Sequence, residues 1–267
     1  MAQDRQQNQS INSSASEKEA ALGAVLAAQV RRQTTSLGLA SVDRYVENLG
    51  HRLAVQMPNA PQDWKLNVIR DHEDGSTHEP LSLPGGWIFV PAQLILVADS
   101  EGELAGMLAH AMAHVAERQG IRQTPGDATL FATIPLVFVG GPAIFGGDDE
   151  HRLVPVGWLK MQRQYELEAD ELAVRTMVAA GFDPRSLLYY IARVQPEHPK
   201  GSQEFSPLPP LSVRISHLQQ AIKNLPTPSL PVSAESFASI QDEVRREQIR
   251  VSTPNQVHRI PSLRYPN

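Results

Sequence analysis

The sequence predicts a mostly helical α+β domain in which a small sheet lies beside a helix that carries two histidines. Several long stretches repeat apolar residues at helical spacing, whereas two short runs, at residues 65–70 and 86–91, are rich in β-forming residues. The chain has 267 residues, of which 41% are hydrophobic, and this is enough for one substantial core. We therefore expect one domain, over residues 16–224, with a tail at each end.

The two tails differ in composition from the domain between them. Residues 1–15 are rich in Gln, Asn and Ser, which is typical of a disordered segment. Residues 225–267 are rich in proline and contain one predicted helix. The polar stretch that directly follows Met1 and Ala2 suits an exported protein, in the periplasm, whose leader is missing from this sequence.

The helices have recognisable first and last residues. Ser100 and Glu103 have the spacing of a capping box, and Asp183 followed by Pro184 is typical of the start of a helix. Gly181 is a natural end for the helix before it. The predicted helices lie at residues 17–34, 41–56, 100–120, 158–181, 184–194, 212–224 and 234–249.

Residues 110–114 read His-Ala-Met-Ala-His, inside the predicted helix 100–120. Two histidines four residues apart share one helical face, with their Cβ atoms about 5–6 Å apart, so both can bind one metal ion. In the zinc-protease motif H-E-x-x-H the second residue is a Glu that takes a proton from a zinc-bound water. That position is Ala111 here. The pattern predicts a metal site without its base; the alternative is a core helix with two structural histidines.

A second helix offers the carboxylates that such a site requires. Glu166 and Asp170 are four residues apart and therefore lie on one face of the predicted helix 158–181. A zinc site of this kind uses two histidines from one helix and a Glu from a later one, with a fourth position open. A second carboxylate can accept the free ring N–H of a ligating histidine. The alternative is a solvated acidic face.

These motifs resemble one family in both order and spacing. Residues 83–119, LPGGWIFVPAQLILVADSEGELAGMLAHAMAHVAERQ, are similar to a block of the CaaX prenyl protease, HtpX and BepA group of zinc metallopeptidases. The resemblance covers about residues 16–223. It implies a zincin-like, minimal gluzincin, metallopeptidase domain with one Zn²⁺. Carried over by position, it makes His110, His114 and Glu166 the zinc ligands and Asp170 the partner of a ligating histidine.

The chain departs from this family at positions that matter for catalysis. The catalytic Glu is replaced by Ala111, and the histidine of a later loop, expected to hold the substrate carbonyl or oxyanion, by Leu208. The Arg that follows this loop is kept as Arg214, whereas the Asn that commonly opens a strand motif is replaced by Glu79. One deliberate substitution would change Ala111 alone. Joint loss of the base and the loop histidine favours natural decay into a pseudo-peptidase.

A strand beside the metal helix suggests how a polypeptide is held. The run Trp87, Ile88, Phe89 and Val90 is expected to present an edge to which an extended substrate adds through backbone hydrogen bonds. Such recognition does not need the catalytic base. The alternative is an ordinary core strand.

Composition excludes several other classes of function. The net charge is −5 without a long run of either sign, so we expect no nucleic-acid partner. The absence of cysteine excludes disulfides and thiolate metal sites. The longest apolar run, at residues 128–147, is broken by Pro and Gly, so we expect no membrane-spanning segment. This run is predicted to form either a lid over the site or a buried packing element.

The sequence therefore leaves three hypotheses for function, and it leaves the oligomeric state open. The first is a zinc metalloendopeptidase scaffold that acts on, or binds, unfolded or misassembled envelope polypeptides, with hydrolysis disabled. The second is a natural pseudo-peptidase that serves as a zinc-bearing polypeptide-binding or chaperone-like module. The third is a metal-free helical protein in which the histidine pair is structural.

Overall fold

A computed structural model describes residues 2–61, 63–70, 79–117, 156–195, 208–226 and 234–252. Within these residues the protein is mostly helical and has one small sheet, which confirms the predicted fold class. The helices are α1 (Ala2–Gln33), α2 (Ala40–Ala54), α3 (Ala92–Val97), α4 (Glu101–Ala116), α5 (Val156–Ala179), α6 (Arg185–Val194), α7 (Leu211–Ile222) and α8 (Ala234–Ser252). The strands are β1 (Lys65–Ile69), β2 (Leu81–Leu83) and β3 (Trp87–Pro91).

The sheet has the strand order β1-β3-β2, with β1 parallel and β2 antiparallel to β3. Successive side chains of a strand point to opposite faces, and here both faces are covered. Ile88 and Val90 face the main core, whereas Phe89 packs on the α1 side with Leu81 and Leu83. The sheet therefore separates α1 from the main helical core.

The prediction of an edge strand at Trp87, Ile88, Phe89 and Val90 is wrong. These residues form β3, whose backbone pairs with β1 on one side and with β2 on the other. The sequence analysis missed β2 because a three-residue strand carries too little periodicity to be recognised. The edges of the described sheet are β1 and β2.

Helix α1 is longer than predicted. It runs through residues 2–15, for which the sequence suggested a disordered tail. This segment contains neither Pro nor Gly and includes several residues with good helix propensity, so it lacks the residues that would end a helix.

Helix α4 lies at the centre of the fold. Nearly all of its side chains are buried, so it is enclosed on several sides and is not the simple amphipathic helix that its spacing suggested. Ser100 caps it as predicted, through its Oγ, which accepts a hydrogen bond from the Glu103 N–H at 3.2 Å. Small residues allow close neighbours: a Cβ at Gly106 would lie 2.9 Å from Cβ of Leu187 on α6.

The turn between α5 and α6 places α5, the helix that carries Glu166 and Asp170, against α4. Gly181 has φ +87°, and the Phe182 N–H donates to the Met177 carbonyl at 2.8 Å, which closes α5 as predicted. Asp183 then accepts the backbone N–H of Arg185 at 2.9 Å, so it caps α6.

Helix α8 packs on the main core, although it lies beyond the predicted domain boundary at residue 224. Phe237, Ile240 and Val244 recur at helical spacing and are buried in the main core. The predicted lid at residues 128–147 lies outside the described residues. Among the helices described, none is both long and apolar enough to cross a membrane.

Candidate metal centre

The three predicted ligands meet at one point between α4 and α5. Nε2 of His110 lies 3.1 Å from Nε2 of His114 and 3.3 Å from Oε2 of Glu166, and Nε2 of His114 lies 3.5 Å from Oε1 of Glu166. Ligands about 2.0–2.2 Å from a tetrahedral zinc ion are roughly 3.3–3.6 Å apart. The three side chains therefore have nearly the spacing of three corners of a zinc tetrahedron.

The second carboxylate of α5 lies behind the first histidine, as predicted. Oδ1 of Asp170 is 2.8 Å from Nδ1 of His110, so Nε2 of this ring points toward the other ligands. Arg214 on α7 donates to both oxygens of Asp170, from Nε at 2.7 Å and from Nη2 at 2.9 Å. Asp170 and Arg214 are both completely buried. Arg214 thus holds Asp170 in place beside His110, and a direct contact of Arg214 with substrate stays a prediction.

Gln195 is a residue of this network that the sequence analysis missed. Its Oε1 accepts from Nη1 of Arg214 at 3.0 Å, and its Nε2 donates to the Pro209 carbonyl at 3.0 Å. The residue joins the end of α6 to residues 208–210, where Leu208 replaces the expected histidine. A lone glutamine after a helix has no spacing that would indicate such a role.

The electrostatics of the cluster favour a bound cation. Burial acts to lower the pKa of His110, but Asp170 and Glu166 outweigh it and raise this pKa to about 9. Burial acts to raise the pKa of Glu166, yet His114 and His110 lower it to about 2. Burial likewise opposes ionisation of Asp170, but the Arg214 guanidinium beside it holds its pKa well below the usual range.

The donor set fits a divalent metal ion. Among the described residues, His110, His114 and Glu166 are the group whose ligand atoms all lie within 4.8 Å of one another. Oε2 of Glu166 is buried without a hydrogen bond, and a buried carboxylate oxygen in this state is suited to a cation. Two imidazoles and one carboxylate are a donor set typical of zinc. Such an ion supplies Lewis acidity and lowers the pKa of a water molecule.

The position next to the first ligand carries no polar group. Ala111 is buried, with 1% of its surface exposed, and its methyl group cannot accept a proton. Position 111 thus contributes to the packing of α4, while His110 and His114 of the same helix reach the ligand cluster.

Comparison with known proteins identifies the family of this chain. The model of peptidase family M48 matches residues 40–222, which include every predicted ligand. The chain belongs to peptidase family M48. Zinc-dependent metallopeptidases make up this family, and the resemblance inferred from the sequence motifs is confirmed.

Several known proteins are similar to part of this chain. A putative beta-barrel assembly-enhancing protease of Vibrio cholerae is 27% identical over 172 residues, 59% of this chain and 34% of the relative. The mitochondrial metalloendopeptidase OMA1 of Schizosaccharomyces pombe is 31% identical over 144 residues, 53% of this chain and 41% of the relative. The beta-barrel assembly-enhancing protease of Escherichia coli K12 is 21% identical, over 66% of this chain and 37% of the relative. The chain thus spans well under half of these relatives.

Proposed function

We propose that this M48 protein binds one zinc ion at His110, His114 and Glu166 and holds unfolded or misassembled polypeptides without cleaving them. The observation that carries the proposal is that the ligand atoms of His110, His114 and Glu166 lie close together. The buried Ala111, next to His110, has no group that can act as a base. In this proposal the protein is exported to the periplasm, where its clients are envelope proteins.

The loss of hydrolysis follows from what the side chains at two positions can do. A positioned proton acceptor contributes typically about 10²–10⁴-fold in rate, and Ala111 provides none. Removing an oxyanion donor costs about 10²–10³-fold, and Leu208 has no polar atom in its side chain to supply one. Ala111 itself is not a ligand, so metal binding is expected to survive.

Binding of an extended polypeptide is supported by the sheet. Strand β2 pairs with β3 along one side, and among the described residues no strand pairs with its other side. An added strand would use backbone hydrogen bonds, which do not depend on the catalytic base. The names of the Vibrio and Escherichia relatives connect them with assembly of beta-barrel proteins, which is the basis for proposing envelope clients here.

The alternative is a protease disabled at one position only. Incubation with fluorescein-labelled casein and zinc distinguishes the proposal from this alternative. The unmodified protein should bind the casein without cleaving it. Ala111→Glu alone should remain inactive, and Ala111→Glu combined with Leu208→His should restore cleavage. Adding Glu166→Gln to the double variant is the control and should abolish this cleavage. Cleavage by Ala111→Glu alone would favour the alternative, and zinc-dependent cleavage by the unmodified protein would contradict the proposal.

A further inference from the structure

Glu79 brings a further carboxylate to the metal centre from the side of the sheet. It precedes β2, and its Oε1 lies 3.8 Å from Nη1 of Arg214. The other terminal nitrogen of the same guanidinium, Nη2, is 3.6 Å from Oε2 of Glu166 and 3.5 Å from Nε2 of His110. A single guanidinium group therefore separates Glu79 from two of the ligands. Its side chain is 18% exposed, so water screens it only partly.

The balance of charge around the site depends on Glu79. Among the described residues, the charged groups of this network are three carboxylates, of Glu79, Glu166 and Asp170, and the guanidinium of Arg214. When the two histidines are neutral, as metal binding requires, and all three carboxylates are ionised, the network carries two excess negative charges, which equal the charge of one divalent ion with opposite sign. Without Glu79, a bound divalent ion would leave the buried site with an uncompensated positive charge, which is unfavourable at low dielectric.

The surroundings of Glu79 fit the role of a counter-charge. Burial and the negative charges of Glu166 and Asp170 outweigh the opposing Arg214 guanidinium and raise the pKa of Glu79 above its ordinary value, so added positive charge nearby favours the ionised form. The ionised form of a carboxylate in this position is stabilised when a positive charge is placed between it and the other carboxylates. Because Glu79 is not part of the group of three close ligands, it acts through the field and not through a bond to the ion.

We propose that Glu79 is the counter-charge of the metal centre, and that it supplies, from the segment before β2, the negative charge that α4 lacks at Ala111. The proposal rests on the metal binding proposed above. It assigns Glu79 the part of a positioning and affinity residue, one that the sequence alone presented only as a departure from the Asn of similar proteins.

The test is the affinity of the full chain for Co²⁺, measured by calorimetry and by the visible spectrum of the bound ion. Glu79→Gln should weaken binding by about 10–100-fold, the range found for residues just outside a ligand set. The spectrum at saturation should stay unchanged, because no ligand is lost. Glu79→Asp, which keeps the charge, should remain within a few-fold of the unmodified protein. Glu168→Gln is the matched control, because Glu168 lies on α5 beside the ligands but contacts Gln164.

A double-mutant cycle tests whether a carboxylate at position 79 can replace, in metal binding, a carboxylate at position 111. In an Ala111→Glu background, Glu79→Gln should cost much less affinity than it does alone, because position 111 then carries a carboxylate. Equal affinity of the unmodified protein and Glu79→Gln, with Co²⁺ bound by both, would overturn this inference and leave the metal site standing. A changed spectrum would make Glu79 a ligand and overturn it as well. Failure of the unmodified protein to bind Co²⁺ would overturn both proposals.

Discussion

At the scale of single residues, Asp170 connects the metal site to the rest of the fold. One of its oxygens lies 2.8 Å from Nδ1 of His110, and both oxygens accept hydrogen bonds from Arg214. The carboxylate thereby fixes the orientation of the imidazole and neutralises a guanidinium that has no access to solvent. Two functions, ligand orientation and charge compensation, depend on the same side chain.

Asp170→Asn is expected to damage both functions. Zinc affinity should fall by about 10–100-fold, because the imidazole loses its charged partner. The free energy of unfolding should fall by about 3–5 kcal/mol, because the buried Arg214 loses its countercharge. Calorimetric zinc titration and urea unfolding measure the two effects, with Glu168→Gln as the control on the same helix. An unfolding free energy equal to that of the unmodified protein would mean that Arg214 finds another partner.

The ligands could be predicted from the sequence, whereas their supports could not. The i, i+4 spacing of His110 and His114 and of Glu166 and Asp170 fixes which side chains share a face, whatever the tertiary structure. Gln195 and Glu79 reach the site only because α6 ends, and β2 begins, beside Arg214. This depends on how the helices pack, which no local pattern contains.

At the scale of elements, the close packing of α4 and α6 positions the metal helix. A Cβ added at Gly106 would lie 2.9 Å from Cβ and 3.2 Å from Cα of Leu187, atoms that cannot move without shifting α6. Gly50 on α2 offers a matched comparison. There an added Cβ would lie 2.7 Å from Cδ2 of Leu66, which is the far end of a flexible side chain.

Gly106→Ala should therefore destabilise the protein more than Gly50→Ala does. Both substitutions gain up to about 1 kcal/mol of helix propensity. Overpacking costs about 1–3 kcal/mol, and this cost should fall mainly on Gly106→Ala, where the neighbour is held by its backbone. Urea unfolding of the two variants side by side measures the difference. Equal stability of the two would show that α6 yields as readily as a leucine side chain.

A second contact between elements should depend on pH. Hydrogen bonds from Arg250 and Arg70 lower the pKa of Glu247 to about 2, and Arg70 directly follows β1, so this cluster fastens α8 to the sheet. A lowered pKa means that the contribution to stability is present above the ordinary pKa of 4.5 and is lost as the pH falls toward 2.

Glu247→Gln should accordingly lower the melting temperature at pH 7 and have a smaller effect at pH 3, where part of the contribution is already lost. Thermal unfolding followed by circular dichroism at the two pH values measures this. Asp242→Asn, in an exposed pair with Arg245 on the same helix, is the control and should have little effect at either pH. A deficit of the same size at pH 3 would mean that Glu247 stabilises α8 by packing alone.

The elements that the sequence failed to predict share a physical cause. Strand β2 has three residues and α3 has six, so neither is long enough to display a period. The long helices α4 and α5 were predicted within a few residues because apolar spacing, caps and Gly181 agreed. The edge assignment of β3 failed for a different reason: strand order is decided by pairing between distant segments, which alternation within one strand does not encode.

At the scale of the whole molecule, one metal ion would join segments that are far apart in the chain. His110 and His114 come from α4 and Glu166 from α5, while Asp170 extends the connection to Arg214 on α7. The ligand atoms face one another at about hydrogen-bond distance, and Oε2 of Glu166 is buried without a hydrogen bond. Binding should therefore stabilise the folded state as a whole, because the unfolded chain does not hold these groups together.

Zinc at 100 times its dissociation constant should add about 2.7 kcal/mol to the free energy of unfolding. For a domain of this size, each kcal/mol raises the melting temperature by about 2–4 °C, so an increase of roughly 5–10 °C is expected, and a chelator should reverse it. The control variant is His114→Ala, because this ligand is less buried than His110 and its loss should disturb the core less. Its melting temperature should not respond to zinc. An equal zinc-dependent rise in the variant would mean that the stabilising ion binds away from α4 and α5, and the centre described here would lose its support.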